Sequence, residues 1–181
     1  VLGKSLFDIY PMNDQERNDV AQYTDQLQND IVASIGKALS NMNPSQIFSN
    51  NGTARFQVNR RNNKESEVHL SKDLKGPMDH AVPVLKVMDD NDQITTILFG
   101  YACHPTVLSG YQWSGDYPGY AQEVVEKNYP GAMAMFFQGA GGDQNPLPRR
   151  TLPLAKQYGT VLAATVERVL SEDMEALEPS L

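Results

Sequence analysis

A chain of 181 residues, 40% of them hydrophobic, carries enough apolar material for a buried core, which sets its scale at one domain or a large part of one and excludes a disordered tail. A formal charge of -7 and a pI near 4.9 argue against a general nucleic-acid binder, because phosphate contacts need a basic surface and the pairs Arg60-Arg61 and Arg149-Arg150 are too small to make one. The lone Cys103 excludes an internal disulfide framework and a Cys-rich metal site, and no stretch is long and apolar enough to cross a bilayer.

The chain starts at Val1 with no basic-then-apolar leader, as expected of a processed or truncated piece. Residues 14–39 predict a long amphipathic helix, since Val20, Tyr23, Leu27, Ile31, Ile35 and Ala38 recur at three- and four-residue steps. Asn13 with Glu16 three residues later caps its start and Pro44 closes its exit; the expected role is to cover one face of a sheet. Asn51-Gly52-Thr53 meets the glycosylation acceptor pattern, which matters only in a eukaryotic secretory route. Ala54, Phe56 and Val58 alternate with Arg55, Gln57 and Asn59, the pattern of a strand with one buried and one wet face. Residues 59–80 are polar and contain Gly76-Pro77, a long loop of the kind that is more often functional than idle.

Residues 82–87 and 94–103 are two apolar runs around Asp89-Asp90-Asn91-Asp92, a solvated hairpin turn that lacks the spaced oxygen ligands and distal Glu of a calcium loop. A short helix follows residues 114–119, with Asp116 as its cap, Pro118 in its first turn, and Ala121, Val124 and Val125 on its apolar side. Residues 132–137 form the next buried strand. The order strand, helix, strand implies a right-handed crossover between parallel strands. Parallel strands leave a sheet at one edge, so the His104 loop and the loop Gln138-Gly139-Ala140-Gly141-Gly142-Asp143 are expected to meet there. The last helix, from about Leu154 to Leu170, buries Tyr158, Leu162, Val166 and Val169, and the Glu-rich tail after Ser171 is expected to fray. The fold class is α/β, a mixed, partly parallel sheet with helices packed on its faces.

Several residues at that edge bear chemistry, each with a plainer alternative. A histidine after a strand is usually structural, but His104 ends an apolar run where an imidazole can reach a crevice. His69 and His80 are weaker candidates. The three histidines lack close metal-ligand spacing, so the chain alone shows no complete zinc site. The 139–142 glycines match neither the dinucleotide fingerprint nor the P-loop; they let backbone approach a ligand or turn sharply, leaving Asp143 and Asn145 toward the crevice. Asp143 serves equally well as a partner for its own turn. Arg60, at a strand end, suits a carbonyl, carboxylate or developing oxyanion, or a surface salt bridge. Trp113 and the tyrosines at 111, 117 and 120 either line an apolar mouth or pack. Cys103 reads as a buried, inert thiol.

Taken in order, Val58-Asn59-Arg60-Arg61, Gly76-Pro77-Met78-Asp79-His80 leading into Val84-Leu85, Ala102-Cys103-His104-Pro105-Thr106, Ser114-Gly115-Asp116 with Gly119-Tyr120, and Gly142-Asp143-Gln144-Asn145-Pro146 resemble the N-terminal catalytic domain of neutral/alkaline non-lysosomal ceramidases. The resemblance covers most of the chain. It implies a Zn2+-dependent amidase that uses zinc-activated water to cleave the N-acyl amide of ceramide to a sphingoid base and a fatty acid. His104 would be a metal ligand, Arg60 a catalytic and substrate-binding donor, and Asp143 a substrate contact. Residues 1–181 would then be a single partial domain truncated at both ends, with a histidine ligand upstream and Glu and Tyr ligands downstream of it. Implied partners are ceramide or another N-acyl amide, a peripheral membrane surface and the rest of the parent chain, but no nucleic acid; the implied location is secreted, periplasmic or cell-surface. The resemblance departs at Asn145, which stands at the family's active-site serine, and a carboxamide is neither nucleophile nor proton relay. Two other readings stand beside it: a hydrolase of another N-acyl or small amide on the same scaffold, and a non-catalytic lipid- or carbohydrate-binding module.

Overall fold

The computed structural model describes residues 11–68 and 73–178; His69 lies outside them. The chain divides after Asn43 into two compact units. The first contains helix α1, Asp14–Ser40, whose start is the expected capping box: the Asn13 side chain accepts from the Glu16 N–H at 2.9 Å while the Glu16 carboxylate accepts from the Asn13 N–H at 2.8 Å. No residue of α1 is buried.

The second unit begins at Pro44 and holds a five-stranded mixed sheet. Its strands are β1 (Ser45–Thr53), β3 (Ala81–Asp89), β4 (Ile94–Tyr101), β5 (Met133–Gln138) and β7 (Glu175–Ala176), in the order β5-β4-β3-β1-β7. Among the described strands, only β4 and β5 run parallel, joined through helix α2, Asp116–Asn128. A separate antiparallel pair, β2 (Gln57–Asn59) with β6 (Gln144–Pro146), lies outside that sheet. Helix α3 spans Leu152–Ser171, with Thr151 as its cap.

Alternation decides which sheet face is buried. Val84, Phe99 and Phe136 stand side by side on one face, and Leu85, Leu98 and Met135 on the other. The first set joins one core with Tyr117, Ala121 and Val125 of α2 and Leu162, Val166 and Val169 of α3. Both helices therefore pack on the same face of the sheet. Each fully buried Leu, Val or Phe here contributes about 1.5–3 kcal/mol relative to exposure.

Four expectations needed correction. Strand β5 is not buried throughout: Ala134 and Phe136 face the core, while Met133, Met135 and Phe137 lie on the opposite face and are exposed. The residues of β2 are buried on both faces, because Gln57 and Asn59 find hydrogen-bond partners inside the fold. Asp116 is not the helix cap: Gly115 holds that position, and the Asp116 carboxylate reaches back to the preceding loop. The described part of the tail, residues 172–178, does not fray, since Glu175 and Ala176 pair with β1 and the Leu177 N–H donates to the Ile47 carbonyl at 2.8 Å. The acidic hairpin turn is as expected, with Asp92 at φ 59° and the Asp89 carboxylate accepting from the Asn91 and Gln93 amides.

The two helices cross at Gly159, where an added Cβ would lie 2.5 Å from the Tyr120 Cβ and 2.9 Å from the Tyr117 carbonyl oxygen. Gly159→Ala should therefore lower stability by about 2 kcal/mol, despite alanine's better helix propensity, because it forces α2 and α3 apart. Urea denaturation checks this; an unchanged or raised midpoint would contradict the close crossing.

Candidate functional site

The site grows from the parallel pair. Tyr101 and Gln138 are the last partners of β4 and β5, and the Gly139 N–H donates to the Tyr101 carbonyl at 3.1 Å, so both chains leave the sheet side by side. The 139–142 loop then folds over the strand that ends in His104. A Cβ on Gly139 would stand 3.2 Å from the Ala102 Cα, and one on Gly141 would stand 2.8 Å from the Cys103 nitrogen. These two glycines serve the approach of one backbone to another.

Beyond that turn, β6 pairs with β2, and the Arg60 N–H donates to the Asp143 carbonyl at 2.7 Å. Asn59 opposes Gln144 and Val58 opposes Asn145. The four sequence candidates are thus placed by one short ladder: Arg60 after β2, Asp143 and Asn145 flanking Gln144, and His104 bonded to Gln144.

His104 donates its backbone N–H to the Gln144 carbonyl at 3.0 Å, and its Nδ1 lies 2.9 Å from the same oxygen. A carbonyl only accepts, so Nδ1 carries a proton, and the lone pair that a ligand histidine needs would be at Nε2. Metal-binding histidines are oriented by this kind of contact. The ring is partly exposed rather than sealed in the core. Its strand end is held from behind as well, because the Cys103 carbonyl accepts from the Tyr117 hydroxyl at 2.6 Å and from the Gln138 side chain at 3.0 Å. Burial pushes the Cys103 thiol far above its ordinary range, in keeping with an inert sulfur.

Asp143 does not bond its own turn through its side chain; its Oδ2 accepts from Asn59 Nδ2 at 3.0 Å. The Arg60 guanidinium is exposed and makes no ion pair or hydrogen bond with a described residue, so the surface salt bridge is not formed there. Asn145 is 6% exposed, and its carboxamide likewise has no partner among the described residues. The aromatic candidates divide: Tyr117 is core, while Trp113 and Tyr120 line a cavity of about 480 Å³ that begins at Pro105, the residue after His104. Among the described residues no three His, Cys, Asp or Glu side chains gather as a metal site. His104 therefore fits a metal as one ligand of a set, with its tautomer already chosen.

Sequence reading missed the residues that hold the site together. Asn59 is the hub: its Nδ2 donates to the Pro77 carbonyl and to Asp143, and its Oδ1 accepts from the Arg61 and Asn62 amides. The Gln144 side chain accepts from the Asp79 N–H at 3.0 Å, and Asn63 exchanges two hydrogen bonds with the Lys75 backbone. Gly76 at φ 88° leaves no room for a side chain against Asn62 and Asn59. These contacts clamp the described parts of the long loop. Asn59 followed by two arginines at a strand end was the available signal, but nothing in it names distant partners.

A second clamp joins that loop to the 147–150 segment. Glu65 accepts from Nε and Nη2 of Arg149 at 3.0 and 2.7 Å, and from the same atoms of Arg150 at 3.2 and 3.3 Å. Arg149 also donates to Thr106 Oγ1 at 3.2 Å, next to the His104 turn.

No family model and no curated protein matches the chain. Among solved structures, the architecture is that of a portion of the ceramidases. A ceramidase complexed with C2 superposes with a TM-score of 0.66 at 20% identity, over 80% of this chain and 25% of that one. The neutral ceramidase from Pseudomonas aeruginosa does so with a TM-score of 0.66 at 23% identity, over 83% of this chain and 26% of that one. The chain thus spans about a quarter of the length of the ceramidases it matches. At these identities the likeness establishes the fold.

The hydrogen bonds from Arg149, reinforced by Arg150, hold the Glu65 carboxyl below its ordinary range. A lowered folded pKa means the clamp contributes stability above the unfolded carboxylate value and loses it as pH falls through the folded one. The difference in urea midpoint between the chain and Glu65→Gln should therefore be constant near neutrality and close toward zero in acid. Both proteins measured across that range decide it; a gap that persists in acid would count against the clamp. Asn59→Ala, which strands Asp143 and the Arg61 and Asn62 amides, should cost about 2–4 kcal/mol and speed proteolytic cutting within residues 60–78.

Proposed function

We propose that this chain supplies one histidine and the arginine side of the cleft in a ceramidase-like, zinc-dependent amidohydrolase. The observation that carries this reading is the double hydrogen bond from His104 to the Gln144 carbonyl, which sets Nδ1 as donor and would leave Nε2 for a metal. The fold likeness to ceramidase structures supports the substrate class, an N-acyl amide such as ceramide. The other metal ligands would come from polypeptide outside this chain, since one imidazole does not make a zinc site.

When bound, the metal would supply Lewis-acid activation of water and of the amide carbonyl. What the chain's own residues do can be derived separately. His104 would give Nε2 to the metal, with its proton parked on Nδ1 and its ring orientation fixed by Gln144. Arg60, with its guanidinium free, would donate hydrogen bonds to the carbonyl oxygen as negative charge develops there. Asp143, held by Asn59, presents an acceptor for the hydroxyl or N–H groups of a polar substrate head. Asn145 has a carboxamide without a partner, able to donate or accept but unable to relay a proton.

That last feature favours a second reading, a hydrolase on the same scaffold acting on a different N-acyl or small amide. A serine hydroxyl and a carboxamide present different hydrogen-bond patterns to the substrate, so Asn145 is where the two substrate classes diverge.

In the protein that carries this chain, His104→Ala should reduce bound zinc well below one per molecule and lower amide hydrolysis at least about a hundredfold. Arg60→Ala should leave zinc content intact and lower kcat by about 10²–10³-fold, with Arg60→Lys recovering part of it. Metal analysis together with hydrolysis of ceramide and of simpler N-acyl amides checks both. Full zinc occupancy in the His104 variant would remove the assignment, and activity on simple amides alone would select the second substrate class.

A further inference from the structure

We infer that Arg149 is a positioning residue for His104: its guanidinium ties the turn that follows the histidine to the loop that carries Arg60. By sequence Arg149-Arg150 is a small basic pair, and the structure gives its two members different surroundings. Both reach the Glu65 carboxylate. Arg149 does so at 3.0 and 2.7 Å with its side chain 17% exposed, and Arg150 at 3.2 and 3.3 Å with its side chain 54% exposed. Among the described residues only Arg149 reaches a further partner: its Nη1 donates to Thr106 Oγ1 at 3.2 Å and to the Thr106 carbonyl at 3.4 Å. Exposed ion pairs hold little, whereas a two-pronged guanidinium–carboxylate contact largely out of water fixes both partners. Arg149 is therefore anchored by Glu65 and holds Thr106 with the nitrogen left over.

Thr106 lies two residues past His104, and the turn between them is closed by the Thr106 N–H, which donates to the His104 carbonyl at 2.9 Å. One residue on, the Val107 carbonyl accepts from the Arg150 N–H at 2.6 Å. The segment from Gln144 to Arg150 thus grips this turn at both ends, by the Gln144 carbonyl at the imidazole and by Arg149 and Arg150 at residues 106 and 107. The Gln144 contact selects a ring nitrogen, but a bond to the ring alone lets the strand end swing with its turn. Among the described residues Thr106 Oγ1 bonds nothing but Arg149, so that contact is the side-chain restraint on the turn. A planar guanidinium can send two nitrogens to a carboxylate and a third to a hydroxyl; a lysine ammonium is a single point and cannot span both. The positioning of the ring is a matter of geometry within the chain; its consequence for zinc rests on the proposed function.

The chain has three histidines, so its imidazole nitrogen spectrum is simple, and the signals lost in His104→Gln identify the ring. Histidine-labelled, metal-free chain in mildly alkaline buffer should show His104 as a single Nδ1-protonated tautomer, and Arg149→Met should turn it into a mixture. Arg150→Met, which removes the same charge from the same carboxylate, should leave the tautomer single. In the protein that carries the chain, chelator competition should read zinc affinity about tenfold weaker for Arg149→Met, with Arg149→Lys recovering none of it. For Arg150→Met the affinity should stay within about twofold of the unchanged protein. Thr106→Val cuts only the hydroxyl contact and repeats both measurements if circular dichroism shows Arg149→Met unfolded; its zinc affinity should be about threefold or more weaker. A single tautomer in Arg149→Met, equal effects of Arg149→Met and Arg150→Met, or rescue by lysine would overturn the positioning role. Absence of zinc from the unchanged protein defeats the metal reading instead, and the His104 tautomer in the metal-free chain still decides the role of Arg149.

Discussion

The candidate site depends on one carbonyl oxygen. Gln144 accepts from both the backbone N–H and the Nδ1 of His104, so a single acceptor sets where the strand ends and which ring nitrogen is free. That oxygen is in place because β6 is paired to β2, and β6 reaches β2 because Gly139 and Gly141 let the intervening turn lie against the Ala102–Cys103 backbone. A side chain at Gly141 would push the turn away from Cys103 and carry the acceptor with it. Histidine orientation here is therefore a property of packing between loops, and only indirectly a property of the histidine.

Beneath that carbonyl lies a rigid aromatic floor. Phe56 stacks on Tyr158 at 4.7 Å and meets Tyr101 and Tyr117 at 4.7 and 5.1 Å. Each tyrosine hydroxyl donates to a backbone carbonyl, Tyr101 to Ala54, Tyr117 to Cys103 and Tyr158 to Pro148. Burial raises all three phenols, Tyr158 to about 12, so they remain donors through the physiological range. Three segments that bear on the site are thus pinned by tyrosine hydroxyl hydrogen bonds, those to Ala54 and Cys103 being buried.

What could be read from the sequence was whatever local periodicity encodes. The apolar runs of β3, β4 and β5 and the stripe of α3 reveal themselves within their own windows, and the parallel pairing follows from their order. The meeting of the His104 loop with the 138–143 loop was legible for that reason. Strand β1, Ser-Gln-Ile-Phe-Ser-Asn-Asn-Gly-Thr, was missed because its pairing with β3 is made by backbone groups and its side chains are mostly exposed. Strands β6 and β7 are too short to show a period, and they exist through tertiary pairing. Gln144 escaped notice because its decisive atom is a main-chain oxygen, which residue identity does not announce. On α1, periodicity and the capping pattern predicted the helix and its start within their own window.

The polar groups at the sheet edge fall into two sets, and the contrast between them bears on function. Asn59, Gln57, Asp116, Gln144 and Glu65 are committed to specific backbone or side-chain partners. The Arg60 guanidinium and the Asn145 carboxamide are not, among the described residues, and the His104 lone pair faces out of its only side-chain contact. Evolutionary economy is not needed to interpret this. Most buried polar groups described are paired, His80 Nδ1 being an exception, while the Arg60 guanidinium, the Asn145 carboxamide and the His104 Nε2 are left without a partner among the described residues.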